Sequence, residues 1–385
     1  MSQHKGAMPQ IKPFFFDITD AEIAEFQKES ATILRSGTLI LGEYTTRFEH
    51  AFAAYIGTKH AVAVNTGSTA LEILLRLKKV EKKTVLVPTN TNFATVAAVL
   101  RAGGEVRYLD MDKQTFAPDL AMVKEAVEGK RAKKGPPVAG VMWVHIGGVV
   151  SPEFPEAVAY CRRKGLFMME DAAHAHGSQL KGVKSGNLAD AAAFSFFPTK
   201  VMTTFEGGMI TTNSDEEDYL ARSFRNQGKR GMNYGGLHHD FGNSSRILET
   251  SAVLGLMQLR KLPEMIRKRQ RGYDLIAKAL DAAGLSYAST RHMDAASQYK
   301  LIVHVPKGRQ TDAVKKALAA DGVMCGGGVY DLPCHKQPVF EGIGAWEAYP
   351  GADAWCPNHI CPPLTSGMTD DESRYVGEKL VKHLS

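Results

Sequence analysis

The stretch LFMMEDAAHAHGS (166–178), followed by AAAFSFFPTKVMTTFEGGMITTN (191–213), decides how this chain folds. It places an acid, Asp171, at the end of one short apolar run. A lysine, Lys200, follows in a short loop behind a second apolar run, with Gly207 and Gly208 close after it. Working upstream, the same texture repeats. AVAV (61–64) precedes a helical pattern from Ser68 to Lys79, and VLVP (85–88) precedes NFATVAAVLRAG. EVRYLD (105–110) precedes a helix-like stretch around Leu120 to Glu128, and GVMWVHI (140–146) precedes PEFPEAVAYCRRKG. Strands alternating with helices predict an α/β domain with a mostly parallel sheet covered by helices on both faces.

Downstream of about Ser251 the texture changes. SAVLGLMQLRKLPEMIRKRQRGYDLIAKALDAAG reads as a long helix with Pro263 as its expected break. YKLIVHV (299–305) reads as a strand, TDAVKKALAADG as a helix, and a tail rich in Pro, Gly and Cys follows. These elements predict a smaller C-terminal α+β domain. The expected division is an N-terminal segment, 1–30, packing on the small domain, a large domain over 31–250 and a small domain over 251–385.

With 385 residues, 44% of them hydrophobic and 23% charged, the chain is long enough for such a pair of cores and is ordinarily globular in composition. The formal charge of +6 is only mildly basic. Its main cluster, RKRQR (267–271), would spread around a helix, so no nucleic-acid partner is expected. Five cysteines and a polar N-terminus without an apolar leader point to free thiols and the cytoplasm. No apolar run reaches membrane-span length, so no membrane partner is expected. Cys356-Pro-Asn-His359-Ile-Cys361 lacks the paired spacing of a structural zinc site, and no metal is expected.

In parallel sheets, ligands sit beyond the carboxyl ends of the strands, where the polar groups of this chain collect. Asn65-Thr66-Gly67-Ser68-Thr69 lies between a strand and a helix. A helix N-terminus offers free N–H groups and partial positive charge to a phosphate, although Ser and Thr there also serve as ordinary caps. Asp171 can face a ring nitrogen or merely cap the next helix, and His174 and His176 lie close by. Lys200 becomes a useful nucleophile if burial or a neighbouring cation lowers its pKa. An acid for a pyridine nitrogen, a lysine for a carbonyl and a phosphate-binding turn together suit pyridoxal phosphate. No G-x-G-x-x-G follows the first strand, which disfavours a nicotinamide dehydrogenase.

These motifs resemble the DegT/StrS family of PLP-dependent sugar aminotransferases, of the aspartate-aminotransferase type (fold type I). The likeness runs nearly end to end, from ITDAEIAEFQKESATILRSGTLILGEYTTRFEH through EDAAHAHGS, FSFFPTKVMTTFEGG and FGNSSR to VYDLPCHKQPVF. It implies that Lys200 holds the cofactor and shuttles the proton, that Asp171 faces the pyridine nitrogen, and that His174 lies near the ring. It further implies phosphate ligation by Ser68, Thr69 and Ser195, beside Gly67 as a cofactor contact that lets the backbone approach. Asn243, in the Gly-x-Asn-x-Arg pattern completed by Arg246, would reach the cofactor of a neighbouring subunit, which implies a homodimer with shared active sites. Asn92, Arg246 and His335 are substrate-side candidates. Asn92 stands where the family usually has a ring-stacking aromatic, the nearest here being Phe93. Phe205 replaces a common Gly, and Ser244 a frequent Tyr.

The resemblance implies transfer of an amino group from glutamate to a keto sugar, nucleotide-linked, for cell-surface polysaccharide or a glycosylated metabolite. Alternatives are a cyclitol or other non-nucleotide ketone, a PLP-dependent sugar dehydratase, and a non-catalytic PLP-binding regulator. In the dehydratases the lysine is typically histidine, so Lys200 weighs against that option. A regulator needs no proton shuttle.

Overall fold

The computed structural model describes residues 10–129, 135–231, 236–344 and 348–385. Its central sheet joins β1 (His60–Val64), β2 (Thr84–Pro88), β3 (Glu105–Leu109), β4 (Val138–Val144), β5 (Phe167–Asp171), β8 (Ala191–Ser195) and β9 (Gly208–Thr212). The strand order is β1-β9-β8-β5-β4-β2-β3. β9 runs antiparallel to β1 and β8, and the remaining pairs are parallel. A small hairpin, β6 (Gln179–Leu180) and β7 (Val183–Lys184), interrupts the path from β5 to β8 and was not foreseen in the sequence.

Both faces of this sheet are buried, which explains why its strands read as continuous apolar runs. Successive residues nonetheless serve opposite faces, as the pleat requires. Val62, Val64, Val85 and Val87 pack with α3 (Gly67–Leu77) and α4 (Phe93–Arg101) on one side. On the other, Ala61 and Ala63 pack with α2 (Glu43–Ile56), while Leu86 packs under α6 (Phe154–Arg163) and near α5 (Leu120–Glu128). α7 (Asp215–Arg225) closes the β1 edge, tied to it by Arg225, whose guanidinium donates to the Ala63 carbonyl at 2.8 Å.

The expected break at Pro263 does not occur. α8 (Glu249–Ala282) continues through it for 34 residues. Pro263 faces solvent, while the buried stripe on both sides of it (Leu259, Leu262, Met265, Ile266) holds the helix to the core. Packing thereby outweighs the roughly 3 kcal/mol that an interior proline costs. α8 also links two cores. Its first half packs with Phe48, Phe52 and Phe196, and its last turns, through Tyr273, Ile276 and Leu280, pack with α9 (Thr311–Ala320) and α11 (Asp370–Leu384). Ile11 joins that second core through a bridge to Val323, and α1 (Asp20–Ser36) lies along α8. The strand expected over 299–305 shrinks to β10 (Val303–His304), paired with β11 (His359–Ile360). Leu301, Ile302 and Val305 are buried, and the run makes only isolated backbone bonds outside β10, such as the Ala288 amide to the Ile302 carbonyl at 2.9 Å. Helix α10 (Pro350–Trp355) is seated by Asp110, whose carboxylate accepts the amides of Gly351 and Ala352.

Candidate active site

Three strand ends converge where β1 turns into α3. Val64 and Ser195 both pair with Gly208. The approach is so close that a Cβ on Gly208 would fall 2.4 Å from the Thr66 carbonyl, and one on Gly67 would fall 2.7 Å from the Ser195 Cβ. Thr66 caps α3, its hydroxyl accepting the Thr69 amide at 3.1 Å. The amides of the first turn have no acceptor within the helix, and with the helix dipole they favour an anion. They open on a cavity of about 330 Å³ lined here by Thr66, Gly67, Ser68 and Ser195.

Asp171 ends β5 on the opposite wall, level with Val144 and Ala193 of the flanking strands. Its neighbour Glu170 points to the other face and is saturated. It accepts from His145, Ser185 and the amides of Gly186, Leu188 and Ala189. Asp171 keeps capacity toward the cavity, accepting, among the described residues, only from the Thr95 hydroxyl at 2.8 Å and the Ala173 amide at 3.2 Å. Burial raises its pKa, while these two donors and Lys200 pull the other way without reversing the shift. A cation or a protonated ring nitrogen placed beside it would restore the carboxylate.

Lys200 is half-buried in the turn after β8, its amide donating to the Phe197 carbonyl at 2.9 Å. Burial lowers its pKa to about 8, opposed by Asp171 and aided by Lys300. Its ammonium lies 5.0 Å from the centre of the Tyr299 ring. That ring stacks on His174 at 4.3 Å. The Gly147 amide donates to Nδ1 of His174 at 3.3 Å, so the neutral ring carries its proton on Nε2, 3.4 Å from the Tyr330 hydroxyl. Burial holds His174 well below the usual histidine range.

The structure therefore brings Gly67, Ser68, Asn92, Asp171, His174, Ser195 and Lys200 to one cavity. Four other sequence candidates do not line it. Thr69 spends its amide and hydroxyl on Thr66. Asn243 is exposed and accepts the Ser244 amide, while Arg246 holds Asn226 and Ser244. His335 is fixed between Thr89 at 2.6 Å and Asp353 at 3.1 Å. Asn92 caps α4, accepting the Ala94 amide at 2.9 Å, and also bonds Tyr330. Phe93 turns away and stacks on Phe340, so it does not stand in for the missing aromatic. Loop 229–240 is described only at its ends, residues 232–235 lying outside the described residues.

Sequence reasoning missed Thr66, Thr95, Glu206 and Tyr330 as wall or support, and Tyr299 behind Lys200. Thr66 carried a usable signal, a hydroxyl residue immediately before a helical pattern. Tyr299 and Tyr330 carried none, since they arrive from the far end of the chain. In the cysteine-rich tail, burial pushes the Cys334, Cys356 and Cys361 thiols up to about 12.

The model of the DegT/DnrJ/EryC1/StrS aminotransferase family matches residues 20–381. A pleiotropic regulatory protein of Geobacillus stearothermophilus is 30% identical over 356 residues, 91% of this chain and 92% of the relative. The GDP-perosamine synthase of Caulobacter vibrioides is 33% identical over 337 residues, 86% of this chain and 81% of the relative. The solved structure of the aminotransferase TlmJ from Streptoalloteichus hindustanus superposes with a TM-score of 0.85 at 26% identity, covering 97% of this chain and 98% of that one. With nearly its whole length matched, this chain belongs to the DegT/DnrJ/EryC1/StrS aminotransferase family.

Proposed function

We propose that the chain uses pyridoxal phosphate to move an amino group from glutamate to a nucleotide-linked keto sugar. One observation carries the reading: Asp171 and Lys200 line a single cavity, with the N-terminus of α3 on another wall. The residues fit the cofactor. Gly67 and Gly208 leave a cradle that any Cβ would fill, Ser68 and Ser195 supply hydroxyls for the phosphate, and Asp171 has a free face for the ring nitrogen. When bound, pyridoxal phosphate supplies an electron sink for charge at the carbon next to nitrogen.

The protein's own groups supply the rest. Asp171, in an apolar surround, becomes a strong acceptor once a cationic donor faces it. Lys200 Nζ takes the proton from the α-carbon of glutamate and returns one to the sugar carbon. With a pKa of about 8, roughly a tenth of its amines are neutral at pH 7. His174 stays neutral, so it adds no second cation beside that amine. Glutamate leaves as 2-oxoglutarate and the ketone leaves as an amine.

The nucleotide link draws support from a relative named for a GDP-linked sugar. Exposure of Asn243 and Phe241 favours a homodimer in which this loop meets the partner's site. Among the described residues no helix is long and apolar enough to cross a membrane. A regulatory reading is suggested by another relative's name, but keeping both Asp171 and Lys200 weighs against it. The test is to incubate the cofactor-loaded protein with glutamate and a panel of nucleotide-linked and free keto sugars, then identify products by mass. A transferred nitrogen on a nucleotide-linked sugar supports the proposal. Transfer only to free ketones, or none at all, sinks it.

A further inference from the structure

Two lysines share one aromatic ring at the edge of this site. Lys200 Nζ lies 5.0 Å from the Tyr299 ring centre, and Lys300 Nζ lies 5.5 Å from the same centre. The platform is tied to both sides. The Tyr299 hydroxyl meets the Thr199 hydroxyl, next to Lys200, at 3.3 Å. The Lys300 amide donates to the Gly147 carbonyl at 3.2 Å, and the Gly147 amide in turn holds His174. Space around the Lys300 ammonium is limited, since a Cβ on Gly326 would fall 2.7 Å from it.

Among the described residues, no carboxylate lies within ion-pair distance of either ammonium, although Lys300 is half-buried. Most lysines in the fold that are this sheltered are paired, as Lys78 is with Glu217 and Lys261 with Asp17. The charged and titratable groups around Lys200 are few. Asp171 and Glu206 line its cavity, His174, His176, Tyr299 and Tyr330 surround it, and Lys300 shares the Tyr299 ring with it. Burial keeps both histidines neutral, His176 down to about 3. Lys300 is thus the cation that shares the Tyr299 ring with Lys200, while Arg269, which also acts on that ring, is held by the carbonyls of Gln298 and Leu364.

We propose that Lys300 is a positioning residue for Lys200: its charge, held against the same Tyr299 ring, enlarges the share of the Lys200 amine that is neutral and nucleophilic near neutral pH. A neighbouring cation is a general means of activating a lysine, because two like charges in a desolvated site cannot both be retained cheaply. The Tyr299 ring lies within cation–π reach of both ammoniums. The proposal rests on the assignment of Lys200 as the reactive amine.

Its test reads Lys200 directly. The full-length protein, freed of cofactor, is labelled with trace acetic anhydride across pH 6–11, and acetylation of the Lys200 peptide is followed by mass spectrometry. In Lys300→Gln and Lys300→Met the labelling midpoint should rise by about half to one pH unit, a several-fold loss of neutral amine at pH 7. Lys300→Arg should restore the original midpoint, which a purely steric role would not predict. A neutral variant that titrates with the wild type, or an Arg variant that shifts as far as Gln, overturns the proposal. The midpoint is read without any amine transfer, so failure here leaves the aminotransferase reading intact, and failure to transaminate leaves this measurement valid.

Discussion

The Thr95 hydroxyl donates to Oδ2 of Asp171 at 2.8 Å, and a second hydroxyl, that of Thr91, stands 2.8 Å behind it. The pair extends a polar chain from the first turn of α4 to the end of β5, in an otherwise apolar interior. Asp171 is only 4% exposed, and its pKa is already raised by burial. A hydrogen bond to a charged acceptor contributes about 1.5–3 kcal/mol. Thr95→Val should therefore push Asp171 further toward its neutral form and weaken pyridoxal phosphate binding by roughly 10- to 100-fold. Equilibrium titration of the cofactor-free protein measures this. Unchanged affinity would show that Asp171 does not meet the cofactor as a carboxylate.

Lys200→Ala should abolish the borohydride-stable bond to the cofactor and all turnover, with little effect on folding. The side chain is half-buried, has no ion-pair partner among the described residues and carries a charge that burial disfavours. Its removal should change stability by no more than about 0.5 kcal/mol, as for substitutions away from structural features. Mass spectrometry after borohydride reduction, with thermal melting alongside, separates the two effects. A variant that still traps cofactor at a lysine and turns over would sink the assignment.

What could be read from the sequence here was local. Asp171 and Lys200 each sit directly behind a short apolar run, and Gly67 opens a helical pattern, so strand ends alone placed them on one edge of a parallel sheet. The supports of these residues were not local. Thr95 lies 76 residues from Asp171, and Tyr330 lies 156 from His174. Neither shows in periodicity, because each is specified by packing between distant elements. The same cause misled the reading of Pro263, where buried neighbours override a local breaker. Asn243 was singled out by motif, and in this chain its side chain is exposed.

Acid sensitivity should arise in part from His176. Its ring lies between Phe194 and Phe196, at 5.4 and 5.7 Å, and burial lowers its pKa to about 3 from the usual 6.5. Between those values the unfolded chain binds a proton that the folded one refuses. Stability is thus full above pH 6.5 and falls as pH drops toward 3, by up to about 1.4 kcal/mol per pH unit for one proton. His176→Leu should flatten the slope of unfolding free energy against pH in this window by up to one proton, whatever its effect at pH 7. Denaturant titrations at pH 7, 6 and 5 measure the slope. An unchanged slope would mean that the ring is protonated inside the fold.

His335, a substrate-side candidate in sequence, should behave as a structural residue. It joins Thr89 at the end of β2 to Asp353 in α10, and its ring packs on Tyr349 at 4.6 Å. Next to it, the Cys334 amide donates to the Thr89 carbonyl at 2.7 Å and the thiol reaches the Thr91 carbonyl. The tail is thereby fastened to the loop that carries Asn92. His335→Ala leaves the buried Thr89 hydroxyl and the exposed Asp353 carboxylate each without this partner and should cost about 1–3 kcal/mol, with a matching fall in melting temperature. If its role is confined to that fastening, KM for the keto substrate should stay within about threefold, on the order of 0.6 kcal/mol, while the variant remains folded. A large rise in KM with unaltered stability would return His335 to the substrate.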